Sequence, residues 1–262
     1  MIKFFRKIRQ NLLSEGKTEK YFKYAIGEII LVVIGILIAL QINNWNENRK
    51  EHNQEIELLT QLESEFQSNL KQLEDKMELR KNMISSSLTL LDFVDKPSKR
   101  NADSIYAHIG LTIIAPTFDP IVNDITSSGR IQLLQNNDLK NKLSRWTTEI
   151  IQVTEEEVTW AEYLDRWYQS TLLEYSSFRT ITNTFWQNNI SDSFHLDKDA
   201  ETKFAVGNSL KEDEINNLLD NSNFEDHIAF CATMAKIANS QSHSLRNRIV
   251  EILDLINDEL EK

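Results

Sequence analysis

The sequence predicts an all-α chain: one transmembrane helix near the N-terminus, followed by an elongated extracytoplasmic helical bundle with three long helices and several short ones. Three observations carry that prediction. Residues Ala25 to Ile42 read AIGEIILVVIGILIALQI, eighteen residues with a single charge. The 262 residues include six Gly and three Pro, which leaves few turns for a sheet architecture and favours long helices. After the apolar run, hydrophobic residues recur at three-and-four spacing over long stretches, the period of an amphipathic helix.

The length suits one main domain and an anchor, and charge divides the chain into three parts. Residues 1–23 form a basic cytoplasmic segment, with seven Lys and Arg against two Glu. Residues 24–44 form the span. Residues 45–262 form an acidic helical extracytoplasmic domain; from residue 43 onward 22 basic residues face 37 acidic ones. An acidic domain of this kind argues against nucleic acid, whose phosphates select clustered Lys and Arg. The single cysteine, Cys231, forms no internal disulfide, and intermolecular pairing through it stays open.

In the N-terminal segment, IKFFRKIRQNLL (residues 2–13) places Phe5, Ile8 and Leu12 on one helical face with Lys3, Arg6, Lys7 and Arg9 elsewhere. That pattern suits either a helix lying on anionic lipid or an unstructured topogenic lead. The apolar run that follows, with its flanking aromatics, is long enough for about 30 Å of hydrocarbon. Tyr21, Phe22 and Tyr24 before it and Trp45 after it form the aromatic belts of both interfaces, which disfavours a buried core helix. The long basic lead and the lack of a small-x-small cleavage site after Ala39-Leu40-Gln41 disfavour a signal peptide. Seven basic residues before the span, against Arg49 and Lys50 just after it, place the N-terminus in the cytoplasm.

Within the span Glu28, Gly35 and Ala39 fall at i, i+7 and i+11, on one face of the helix. Small residues let helices approach closely, and a carboxyl group at membrane depth prefers a protein partner. This stripe is the candidate transmembrane contact face; its alternative is that Glu28 simply reaches the cytoplasmic interface.

The stretch YAIGEIILVVIGILIALQINNWNE (Tyr24 to Glu47), with the preceding FFRKIRQNLLSE, resembles an uncharacterised family of small bacterial single-pass membrane proteins, a domain of unknown function. The likeness is closest over residues 1–50, and Ser127-Ser128-Gly129 is a second shared patch. The resemblance implies an inner-membrane location and a helical outer domain; it implies no catalytic residues.

In the outer domain, Ile56, Leu59, Leu62, Phe66, Leu70, Leu73, Met77, Ile84, Leu88 and Leu91 predict one amphipathic helix from Trp45 to about Asp95. Pro97, Pro116 and Pro120 mark a broken region of short helices and turns, with Gly129 as a helix stop. A second long helix starts at Asp138, capped by Asn136 or Asn137, and runs to about Phe178 with Trp146, Ile150, Val153, Trp160, Leu164, Trp167 and Thr171 on one stripe. Thr180 to Lys211 reads as loop with short helices. Capping boxes at Ser209-x-x-Glu212 and Ser222-x-x-Glu225 start helical stretches. A third long helix spans Phe224 to Leu260 on Ile228, Cys231, Ala235, Ala238, Leu245, Ile249, Ile252 and Ile256.

Catalytic motifs are absent: there is no Gly-rich phosphate loop, no nucleophile elbow and no paired-Cys motif. None of His52, His108, His195, His227 and His243 has a Glu three residues before it, so a carboxylate-bridged metal pair is not encoded. His227 and Cys231 lie one turn apart but supply only two ligands. Glu155-Glu156-Glu157 reads as a solvated face. The aromatic group Trp160, Tyr163, Trp167 and Tyr168 reads as core or as a small-ligand pocket of Trp160, Tyr163, Arg166 and Trp167. These readings predict a membrane-anchored, non-catalytic interaction or scaffold module in the cell inner membrane, without cofactor or metal. Its partners are the membrane and either a second copy or another envelope protein. The alternative is an extracytoplasmic sensory or small-ligand-binding domain that signals through a separate partner.

Overall fold

The computed structural model describes residues 18–122, 128–187, 204–210 and 215–262. The basic lead up to residue 17, with its amphipathic stretch 2–13, and the Glu212 end of the first capping box lie outside the described residues. All regular structure among the described residues is helical.

Helix α1 (Thr18–Asp95) is continuous for 78 residues and crosses the expected boundaries at 24 and 44 without a break. From Ile36 to Lys96 it contains no Gly or Pro, so nothing interrupts its backbone hydrogen bonds. The chain forms two compact units, residues 1–58 and 59–262. In the first, the large apolar side chains from Ile26 to Ile42 are 47–63% exposed on every side of the helix. A soluble amphipathic helix hides one face; this one hides none, and it is long and apolar enough to cross a membrane. Trp45 is exposed beyond it, with the Arg49 guanidinium 5.8 Å from the indole ring centre.

In the second unit α1 turns amphipathic. Leu59, Leu62, Phe66, Leu73, Met77, Met83 and Leu90 are buried. The stripe differs from the expected one toward the C-terminus: Leu88 points to solvent, and Met83 and Leu90 take the core positions. The helix stops before Pro97, where Lys96 and Lys99 pair with Asp92 and a single 3-10 turn, Pro97–Lys99, reverses the chain. Helix α2 (Ala102–Thr112) follows, its first turn capped by the Asn101 side chain, which accepts from the Ser104 N–H at 2.9 Å.

An extended segment, residues 114–122, then runs antiparallel along α1. Asn69 brackets Ile121, donating to its carbonyl at 2.9 Å and accepting from its N–H at 2.8 Å. Gln72 does the same to Asp119, at 2.9 and 3.0 Å. Side-chain amides thus supply the pairing that a neighbouring strand would give. The segment that Gly129 is expected to end, residues 123–127, lies outside the described residues; Gly129 itself, at φ 74°, opens the 3-10 turn Arg130–Leu133, a backbone region that glycine enters without steric cost.

Helix α3 (Asn137–Tyr163) is capped by Asn136, whose Oδ1 accepts from the Leu139 N–H at 3.0 Å. It passes through one π-helical turn, Leu164–Tyr168, into α4 (Gln169–Tyr175). Helix α5 (Phe178–Gln187) and the short α6 (Ile215–Leu219) precede α7 (Ser222–Leu260). The second capping box is displaced by one residue: Asn221 is the cap and Ser222 the first helical residue. The eight apolar residues expected along α7 are all buried. The core joins Leu79, Met83 and Leu90 of α1 to Trp160, Leu164, Tyr168, Phe224 and Ile228. Asn239 of α7 donates to the Met77 carbonyl at 3.0 Å, and Arg246 pairs with Glu74 at 2.7 Å.

Candidate functional site

Two surface features and one buried one carry polar chemistry. The first surface feature is set by the π-helical turn. A π turn adds a residue to the helix and shifts the face presented by everything after it. Here the Gln169 N–H donates to the Leu164 carbonyl, five residues back. The expected stripe through Trp167 and Thr171 is therefore corrected: Trp167 is 61% exposed, and Tyr168 fills the core with no exposure at all.

The predicted pocket residues divide accordingly. Trp160 is fully buried and belongs to the core. Arg166 points into solvent and pairs with Glu162 at 3.4 Å. Tyr163 and Trp167 do meet, lining a groove of about 450 Å³ with Ser170, Thr171 and Glu174 on one side and Asn223, Asp226 and His227 on the other.

The floor of this groove is a fixed hydrogen-bond chain. Thr171 Oγ1 spends its hydrogen on the Trp167 carbonyl at 3.3 Å, so it accepts from His227 Nε2 at 3.0 Å. His227 Nδ1 then accepts from the Tyr163 hydroxyl at 2.6 Å. Both imidazole nitrogens are satisfied in the neutral Nε2–H tautomer. Burial lowers the His227 pKa from the ordinary histidine value, opposed by the Asp226 carboxylate. Beneath the floor, Thr112 Oγ1 donates to the Ile109 carbonyl at 2.9 Å and so accepts from the Tyr168 hydroxyl at 2.8 Å. Cys231 is buried one turn beyond His227, and burial pushes its thiol up to about 12. Among the described residues no group of three His, Cys, Asp or Glu is placed to hold a metal ion.

A smaller depression of about 270 Å³ between α3 and α7 is lined by Gln152, Gln241, Ser244 and the Glu149–Arg248 pair, closed on itself at 2.9 Å.

The second surface feature is the apolar part of α1. Glu28, Gly35 and Ala39 share one face, with Gly35 and Ala39 exposed and Glu28 half-buried. A methyl group added at Gly35 would meet nothing within 4 Å.

The buried feature overturns the reading of Glu155-Glu156-Glu157 as a solvated face. Glu155 is exposed and Glu156 half-buried, but Glu157 is fully buried and pairs with Arg80 of α1, equally buried. Arg80 also donates to the Pro116 carbonyl, at 2.7 Å through Nη2 and 3.2 Å through Nε, and to Ser242 Oγ at 2.7 Å. The second Glu157 oxygen accepts from the Phe118 N–H at 2.7 Å. One ion pair thus ties together α1, the extended segment, α3 and α7. Desolvation raises the Glu157 pKa and lowers that of Arg80, while each charge favours the ionised form of the other.

Comparison with known proteins found no match to the chain among curated proteins or solved structures. Residues 28–130 match the model of a family described as "Family of unknown function (DUF6090)", so the likeness begins inside the apolar run, extends well past residue 50 and takes in Ser128-Gly129.

Proposed function

We propose that the chain is a membrane-anchored, non-catalytic interaction module of the cell inner membrane. Its basic N-terminus lies in the cytoplasm, residues 24–44 span the bilayer, and the acidic domain from residue 45 stands in the periplasm. The carrying observation is the stretch Ile26–Ile42, whose large apolar side chains are exposed on every side of α1. Water would penalise that surface at about 25 cal/mol per Å², whereas lipid does not. The excess of basic residues before the span supports the orientation. The Glu28–Gly35–Ala39 face then meets a second copy or another envelope protein, because small residues allow helix backbones to approach.

In-cell crosslinking of the full chain tests the contact: a specific adduct is expected for the native sequence and is lost in the Gly35→Leu, Ala39→Leu double variant. Equal yields would overturn the contact face. Protease treatment of spheroplasts tests the orientation, with digestion of the acidic domain expected. A second reading, a ligand-binding domain that signals through a separate partner, is favoured by the groove at Tyr163 and Trp167.

A further inference from the structure

The groove between α4 and the first turns of α7 has a defined chemical character. One wall presents the exposed Trp167 and half-buried Tyr163, and its rim carries the carboxylates of Glu174 and Asp226. Among the described residues neither carboxylate is held in an ion pair. Glu174 also sits in the last turn of α4, where the negative end of the helix dipole opposes a carboxylate. Asp226 has an ordinary reason to lie near the start of α7; Glu174 has none within the fold. The lone cation sequence reading placed there, Arg166, lies outside the groove with Glu162.

An indole face beside unpaired carboxylates is the arrangement that attracts an organic cation: the ring quadrupole and the negative charges act together. The Tyr163–His227–Thr171 chain fixes the floor, so the walls are set before a ligand arrives. The π-helical turn is what delivers Trp167 to this wall while Tyr168 stays in the core.

We propose that this groove binds a small organic cation, a quaternary ammonium or alkylamine, seated on Trp167 and held by Glu174 and Asp226. The assignment rests on the second reading above, that of a ligand-binding domain. The exposure of Trp167 places the affinity in the millimolar range, since exposed cation–π contacts are weak.

The experiment is calorimetric titration of the full chain in lipid nanodiscs with choline and with its neutral carbon isostere, 3,3-dimethylbutan-1-ol. Choline is expected to saturate, with the neutral alcohol weaker by at least about tenfold. Trp167→Leu, which keeps apolar bulk without the indole, is expected to weaken choline by about fourfold, and Glu174→Gln by about threefold, both with unchanged thermal melting. Equal binding of choline and the alcohol would overturn the cation assignment while leaving a ligand groove. Absence of saturation by either compound would overturn both the assignment and the ligand-binding reading of this groove. Choline binding undiminished in Trp167→Leu would also overturn the proposal.

Discussion

Arg80 and Glu157, 77 residues apart in sequence, form an ion pair with no solvent exposure at either side chain. Removing one partner strands the other charge in the core. Arg80→Met or Glu157→Leu is therefore expected to cost about 3–5 kcal/mol, whereas the double replacement Arg80→Met, Glu157→Leu costs much less than the sum. Urea denaturation of the two single variants and the double variant measures this directly. Additive losses would show that the two side chains do not act as a unit.

The amide brackets on the extended segment predict a local effect. Asn69→Leu leaves the Ile121 N–H and carbonyl without their partner in a part-buried site and should cost about 1–3 kcal/mol. Gln72→Leu, at an exposed site, should cost less than about 1 kcal/mol. Amide hydrogen exchange at residues 117–122 should speed up in Asn69→Leu before the helices are affected; unchanged exchange there would contradict the role given to the bracket.

Core and groove separate cleanly in the two tryptophans. Trp160→Ala opens a cavity at a fully buried site and should cost about 3–5 kcal/mol, while Trp167→Ala at a 61% exposed site stays within about 1 kcal/mol. Thermal melting of both variants decides it.

The three long helices are legible in the sequence because each carries an apolar period over many turns and few Gly or Pro intrude. Two things hid the rest. The buried ion pair looks polar residue by residue, yet both members fill gaps in apolar stripes: Arg80 falls between Met77 and Ile84, and Glu157 between Val153 and Trp160. A charge at the vacant step of an apolar stripe on each of two helices was the available signal. The π-helical turn leaves no such trace, because a 3.6-residue count continues plausibly through Trp167 and only packing selects Tyr168 instead. The residues expected to line one pocket are parted for that reason: Tyr163 and Trp167 line the groove, whereas Trp160 lies in the core and Arg166 in solvent.

Stability should fall on acidification through His227. Burial depresses its pKa in the folded chain, so the unfolded chain binds the extra proton more readily. The stabilisation is complete above the ordinary histidine range and is lost as pH drops through it toward the lower folded value. His108, also depressed by burial, adds with the same sign. Protonation of His227 Nδ1 removes the acceptor that the Tyr163 hydroxyl uses, whereas Asp226 partly offsets the charge. Urea midpoints at about pH 7.5 and 5.5 should differ for the native chain and converge in a His227→Asn, His108→Asn variant.

Cys231 offers a readout of unfolding. Its thiol is buried and pushed up to about 12, so maleimide labelling of the folded protein should be slow and should follow the fraction unfolded as denaturant rises. Rapid labelling in native buffer would mean that the core around α7 opens locally.

The wide turn at Leu164–Tyr168 also gives the chain a tolerance that a regular helix lacks. Deleting one residue from a packed α-helix rotates everything beyond it by about 100° and throws the core stripe out of phase. Here the turn already holds one residue more than a regular helix needs. Loss of Asp165 or Arg166, both exposed, would let the backbone relax to ordinary α geometry with Leu164 and Tyr168 still near the same face. This short stretch is a place where the reading frame of the helix can slip by one position and the protein still fold.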